Sequence, residues 1–445
     1  MGHATTLAFR LPHEDHVSHV DVARPPKELD ADPNAFLIAS GSFDGLVQVW
    51  RYDAAAPWAA PGEIWRLAGH RARVRRVAFS PSGRQLASAA YDGSARVWDL
   101  ITGGGCALEP ESAAPKPPSK PAPGPQTGAV AAPATEFYRV VFAPAEQWLL
   151  TTANDPIRPV RLWDPAGCRE LPLPGALEHD GTKVQAADAA ASADGTQLAA
   201  TGNDTGTLRV AAQARDGTWA LRCRLQLHQG VITDLAFAPD GGSVATVGED
   251  GQVTLVALTG EKCGEPLRRK SGAGTLYSVR FAPDGKALVT AAMNGRAQVW
   301  DTQGRLLAEL KGHKDRVASA EFSPDGHWLL TASRDGAVRL WQRPAAPPPE
   351  TGQPPTLGSY LVMESDLGGV RIARFSPDGR SIAAAYRQDA VVLWRVWDED
   401  PTPDPALAAQ WGAQRAGLAL IREAARFRRD NGLDAPVAGD GEPSP

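Results

Sequence analysis

The sequence predicts an all-β fold assembled from eight copies of one short-stranded unit, and three observations carry that prediction. A Ser/Thr, Asp, Trp pattern recurs at fixed spacing along most of the chain. A Phe-x-Pro-Asp/Ser-Gly segment runs in phase with it, and a His precedes several copies at a constant distance. Such a period decides the fold before any single element does.

The first pattern places Asp four residues after Ser/Thr and Trp six residues after Asp. It is complete at Ser40, Asp44 and Trp50, at Ser88, Asp92 and Trp98, and at Thr331, Asp335 and Trp341. Thr290, Asn294 and Trp300 keep the spacing with Asn for Asp, and Thr246, Asp250 and Val256 keep it without Trp. Thr151, Asp155 and Trp163 fit after a two-residue insertion. Thr201, Thr205, Ala211 and Ala384, Gln388, Trp394 are the weakest copies. The eight Trp-equivalent positions run from 50 to 394 with a mean step of about 49 residues. Without the obvious insertions this approaches the ~40–45 residues of a four-stranded repeat.

The turns are legible from their chemistry. Phe79–Gly83, Phe237–Gly241, Phe281–Gly285, Phe322–Gly326 and Phe375–Gly379 each separate two short stretches of strand character. Pro presets φ, Asp bonds nearby backbone and Gly accepts positive φ, so each segment predicts a hairpin turn. Short strands at regular spacing with turn signals between them argue against helices. The third motif is Gly69-His70 and Gly312-His313. His70 to Ser88, His313 to Thr331 and His228 to Thr246 all span 18 residues.

This set of His, Ser/Thr, Asp and Trp resembles the WD40 repeat family over roughly residues 5–400, and Trp98-Asp99, Trp163-Asp164 and Trp300-Asp301 supply its dipeptide. The resemblance implies an eight-bladed β-propeller, or seven blades if the degenerate fourth copy merges with a neighbour. It implies that His13, Ser40, Asp44 and Trp50, His70, Ser88, Asp92 and Trp98, and His313, Thr331, Asp335 and Trp341 are structural tetrads. Each would be a buried hydrogen-bonded chain within its blade rather than a catalytic triad. A network present in several blades supplies scaffold, whereas an enzyme needs one activated nucleophile. The resemblance also implies that the strand at Thr5–Leu11 completes the last blade and closes the ring.

Composition narrows the partners. The 445 residues carry 46 Lys and Arg against 51 Asp and Glu, a net charge of −5, so a nucleic-acid partner is disfavoured. The competing basic sets are Arg71, Arg73, Arg75 and Arg76, and Arg268, Arg269 and Lys270. A mean hydropathy of −0.27 and no run of eighteen apolar residues argue against a membrane span. Cys106, Cys168, Cys223 and Cys263 form no CxxC pair, which reads as no disulfide framework and a reducing cytoplasm. No phosphate loop, zinc-protease or serine-hydrolase motif occurs. His13, His16 and His19 lead into a strand and would not converge on a metal, so neither metal nor cofactor is expected.

Outside the repeats, Pro-rich stretches at 103–134 and 343–358 read as insertions following the third strand of a blade. The tail, 401–445, carries a helical pattern at about 405–430 with Arg residues flanking an apolar stripe. The candidate surface is the channel face where the Asp-Gly turns emerge. By the resemblance, Phe43, Tyr91, Glu249, Met293, Arg334 and Arg387 project there, joined by His16, Arg73 and Arg316. Aromatic residues beside Arg have the composition of binding hot spots. The expectation is a non-catalytic, cytoplasmic, monomeric scaffold for a protein or peptide. Ala-, Arg-, Pro- and Gly-rich usage suggests a bacterial signalling or defence setting. The alternative is an enzyme or small-ligand binder using the channel.

Overall fold

Alternating apolar residues and obligatory turns leave each repeat one way to satisfy its backbone, an antiparallel four-stranded meander. The computed structural model describes residues 5–55, 59–108, 136–155, 157–179, 183–259, 262–344 and 355–397. Within the unit Thr6–Val396 these residues form eight sheets, one per repeat. The innermost strands are Val17–Ala23, Val74–Phe79, Phe137–Phe142, Val184–Ala191, Ile232–Phe237, Leu276–Phe281, Val317–Phe322 and Val370–Phe375. Each lies beside the next, and the last lies beside the first, so the ring is closed. The protein is an eight-bladed propeller.

Closure uses the N-terminus. Thr5–Pro12 pairs with Ala390–Trp397 as the outermost strand of the eighth blade, so the first and last segments of the ring share one sheet. Phe9 and Leu11 are buried there, and the His13 N–H donates to the Asp389 carbonyl at 2.7 Å. Closure also removes the open ring end, whose exposed sheet face and edge would invite association.

The turns follow their residues. In all five Phe-x-Pro segments the glycine takes positive φ, between 66° and 74°, and its N–H bonds the carbonyl three residues back. The core lies between blades rather than within them. Leu37, Ala39, Val47 and Val49 of blade 1 pack on Val74, Val77, Leu86 and Trp98 of blade 2. Each such large side chain, fully buried, contributes about 1.5–3 kcal/mol.

Two expectations change. The cysteines do form a framework: Cys106 is bonded to Cys168 and Cys223 to Cys263, leaving no free thiol. Both bonds join the outer strand of one blade to the next blade, on the loop between its third and fourth strands for Cys168 and in a short strand after the third for Cys263. Sequence separations of 62 and 40 residues hide pairs that blade stacking makes adjacent, so the cysteine argument for a reducing compartment falls. The first Pro-rich insertion is also displaced: Gly105–Leu108 forms the fourth strand of blade 2, so the insertion follows the fourth strand rather than the third. Most of it (109–135), most of the second insertion (345–354) and the tail with its expected helix lie outside the described residues.

Candidate functional site

The tetrads come first, because they decide whether the His, Ser/Thr and Asp residues are chemistry or scaffold. In blade 2, His70 Nε2 lies 2.8 Å from Ser88 Oγ, and His70 Nδ1 lies 3.0 Å from Asp92. Trp98 donates its indole N–H to Ser88 Oγ at 3.0 Å, and the Arg71 N–H donates to Asp92 at 2.8 Å. The network assigns the proton to Nδ1, so the Ser88 hydroxyl donates to Nε2 and accepts from Trp98. Burial raises the Asp92 pKa, but the hydrogen bonds from His70, the Arg71 N–H and Ser94 outweigh it and hold the carboxyl well below its usual range. Blade 7 repeats the set: His313 lies 2.8 Å from Thr331 and 3.0 Å from Asp335, and Trp341 donates to Thr331 at 2.8 Å.

The other blades keep fragments. Blade 5 has the His228 links to Thr246 and Asp250 at 2.8 and 2.9 Å with Val256 for Trp. Blades 3 and 6 keep only the bonds from Trp163 to Thr151 and Trp300 to Thr290. Blade 1 departs from its expected tetrad. His13 Nε2 is 2.6 Å from Ser40, but its Nδ1 has no partner, and neither has Asp44 Oδ2, while Asp44 Oδ1 accepts from the Leu46 N–H. Trp50 meets the His13 ring edge-on at 5.5 Å. Burial and Arg66 lower the His13 pKa to about 4 against the pull of Asp389, so the ring is neutral. These hydroxyls are locked between a ring nitrogen, an indole or both, with no open side on which a substrate could be attacked.

The channel face is built by one recurring bond. The N–H of the residue before each Asp position donates to a carbonyl just ahead of the innermost strand. It joins Phe43 to His16, Tyr91 to Arg73, Glu249 to Val231, Met293 to Thr275, Arg334 to Arg316 and Arg387 to Gly369, at 2.8–3.2 Å. The bond sets predicted residues side by side at one end of the innermost strands. His16 stacks on Phe43 at 5.5 Å, and the Arg73 guanidinium lies 3.9 Å from the Tyr91 ring centre and 5.3 Å from that of Phe43. Arg316 belongs to a separate pair with Tyr277, at 5.5 Å. Glu249, Arg334 and Met293 are exposed and Arg387 half-buried; Met293 is 55% exposed.

Three members were not legible. Arg371 lies over Phe43 at 5.1 Å, Tyr138 meets Tyr91 edge-on at 6.2 Å, and Tyr277 receives Arg316. All three are the second residue of an innermost strand. There every blade has a register shift against the second strand, as between Phe137 and Arg139 or Val370 and Ile372. A bulge breaks the alternation and re-aims one side chain per strand. The signal was present as the same repeat position, occupied by Arg75, Tyr138, Tyr277 and Arg371. The result is a continuous arc of Arg371, His16, Phe43, Arg73, Tyr91 and Tyr138 across blades 8, 1, 2 and 3.

The basic sets do not form one patch. Arg73 lies on Tyr91 while Arg76 turns into the channel. Arg268 and Arg269 are taken up by backbone carbonyls of Gln226 and Gly304 on blade 5 and its neighbours.

An eight-bladed ring whose blades are pinned by His, Ser/Thr, Asp and Trp defines a repeat propeller. The chain belongs to the WD40 repeat family: the family described as "WD domain, G-beta repeat" matches residues 7–51, 62–99, 219–255, 264–301 and 304–342. Over 79 residues it is 39% identical to an uncharacterized WD repeat-containing protein of Schizosaccharomyces pombe, covering 18% of this chain and 16% of that protein. Over 106 residues it is 33% identical to the Poly(A)+ RNA export protein of the same organism, covering 23% and 29%. The chain thus spans less than a third of the length of these curated relatives. Among solved structures it is similar to the C-terminal WD40 domain of Sif2, with a TM-score of 0.63 and 16% identity over 87% of this chain and 98% of that one. That likeness concerns the fold. Among the described residues no helix is long and apolar enough to cross a membrane.

Proposed function

We propose that this propeller is a non-catalytic interaction scaffold that binds a protein or peptide across the mouth carrying His16, Phe43, Arg73 and Tyr91. The observation that supports it most is the arc itself. Three rings (His16, Phe43 and Tyr91) and two guanidinium groups (Arg73 and Arg371) from blades 8, 1 and 2 stack at a turn-rich end where no repeat requirement calls for them. Such surfaces suit a partner segment presenting acidic side chains around an apolar anchor. Glu249, Met293, Arg316, Arg334 and Arg387 form the remainder of the proposed rim. In this reading the chain works in the bacterial cytoplasm, as a monomer, as the sensor or adaptor part of a signalling or defence system whose effector is separate.

The test is affinity capture with cross-linking from native cells. Wild type is compared with a Phe43→Ala, Tyr91→Ala, Arg334→Ala, Arg387→Ala variant of matched melting temperature. One protein held by the wild type and lost by the variant supports the reading. Equal retention by both removes the mouth as the binding surface. A second reading, a small-ligand binder using the channel, draws support from the charged cavity at the opposite end.

A further inference from the structure

The innermost strands carry a second set of side chains at the far end of the channel, beside the hairpin turns at Pro81 and Pro239. They surround a cavity of about 420 Å³. Its wall holds four arginines, Arg76, Arg139, Arg280 and Arg374, each contributed by a different blade. Three are ion-paired, two of them sharing one carboxylate. Asp234 accepts from Arg139 at 2.6 Å and from Arg280 at 2.7 Å, and Glu321 accepts from Arg374 at 2.6 Å. Arg76 has no hydrogen bond or ion pair among the described residues. Beside it His19, 7% exposed, has no partner on either ring nitrogen.

The His19 ring nitrogens are buried without partners, which is costly, and the Arg76 guanidinium brings unused N–H donors to the same wall. Burial and the neighbouring charges of Arg139, Arg280 and Arg374 lower the pKa of Arg76 against the pull of Asp234. Burial, then Arg76, Arg374 and Arg139, lower that of His19. The two other acids of the wall, Asp21 and Asp188, accept the backbone N–H groups of Phe79 and Phe237, and burial raises both pKa values. Arg76 is thus the arginine of the wall whose donors no carboxylate takes up.

We propose that this end of the channel is a binding site for a small phosphorylated molecule, its phosphoryl group held by Arg76 with Arg139 and Arg374 close by. Guanidinium forks match phosphate oxygens and supply charge-assisted bonds. The volume falls within the range of small-molecule pockets and leaves room beyond one phosphoryl group. Asp21 and Asp188 can accept from hydroxyls of the remainder, which favours a sugar phosphate or nucleotide over bare phosphate. The site is separate from the aromatic mouth, so it stands or falls independently of the scaffold reading.

Isothermal titration of the full chain tests it, with AMP, glucose 6-phosphate and inorganic phosphate as probes and adenosine and glucose as their uncharged counterparts. The expected result is binding of at least one phosphorylated probe and of neither counterpart. Arg76→Ala weakens that binding by about 10- to 100-fold, the loss of one charge-assisted anchor, while Arg316→Ala at the opposite mouth leaves it unchanged. Because Arg76 is unpaired and crowded by like charges, Arg76→Ala also melts no lower than wild type without ligand, which separates lost binding from lost fold. No heat with any phosphorylated probe at millimolar concentration overturns the proposal. So does binding that Arg76→Ala leaves intact, or equal binding of the uncharged counterparts.

Discussion

Thr290 and Thr331 provide a controlled experiment within one molecule. They occupy the same position in blades 6 and 7, both at 0% exposure. Thr290 Oγ1 accepts from Trp300 at 3.1 Å, donates a long bond to the Gln298 carbonyl at 3.5 Å and serves no histidine. Thr331 Oγ1 accepts from Trp341 and also bonds His313 Nε2, both at 2.8 Å. Replacing either by Val keeps the shape and removes the hydroxyl. Thr290→Val strands one buried indole N–H, at about 1–3 kcal/mol. Thr331→Val strands the indole and also leaves the His313 Nε2 lone pair unmet, adding about 1–3 kcal/mol more. The difference between the two variants therefore isolates the histidine link, since packing losses cancel. Equilibrium urea unfolding followed by circular dichroism reads it as a difference in midpoint at common slope. Equal destabilisation, within about 0.5 kcal/mol, would falsify the view that the His-Thr bond holds the blade connection in place.

Deleting residues 1–11 removes the outermost strand of blade 8 with buried Phe9 and Leu11; the melting temperature should drop sharply, and an unchanged melt refutes closure by this strand. His13 is held neutral, its pKa lowered from 6.5 to about 4. Between those values the unfolded chain binds the proton more readily, so this stability is complete above pH 6.5 and is lost as pH falls towards 4. From pH 7 to 4.5 wild type should lose about 2–3 kcal/mol more than His13→Asn; parallel urea-stability profiles would sink the assignment. Alkylation of the unfolded, unreduced protein followed by mass measurement should label no cysteine, and reduction should expose all four; four labels without reductant refute the cross-blade bonds.

Much of this molecule is written locally. Thr331, Asp335 and Trp341 lie within one repeat, as do Pro324, Asp325 and Gly326, so their spacing reports the hairpin and its pinning without knowledge of the ring. The pull of His313 onto Thr331 is likewise an 18-residue relation. Blade 1 shows the limit even there: its residues are all present, yet His13 Nδ1 and Asp44 Oδ2 are both left without a partner.

By itself the sequence determined the repeats, their turns and the position of most hydrogen-bonded pins, because each depends on residues a few tens of positions apart. The choice of eight blades over seven and the pairing of Thr5–Pro12 with Ala390–Trp397 were decided by the closed ring. Only the tertiary structure decided which cysteines meet, which aromatic and basic residues share the mouth, and that Arg76 and His19 face one cavity without partners. Those neighbours come from different blades, at a distance along the chain set by the insertions. A bulge in every innermost strand further turns a side chain out of the alternation that sequence reading relies on. Ring geometry, acting across blades, assembled both candidate sites.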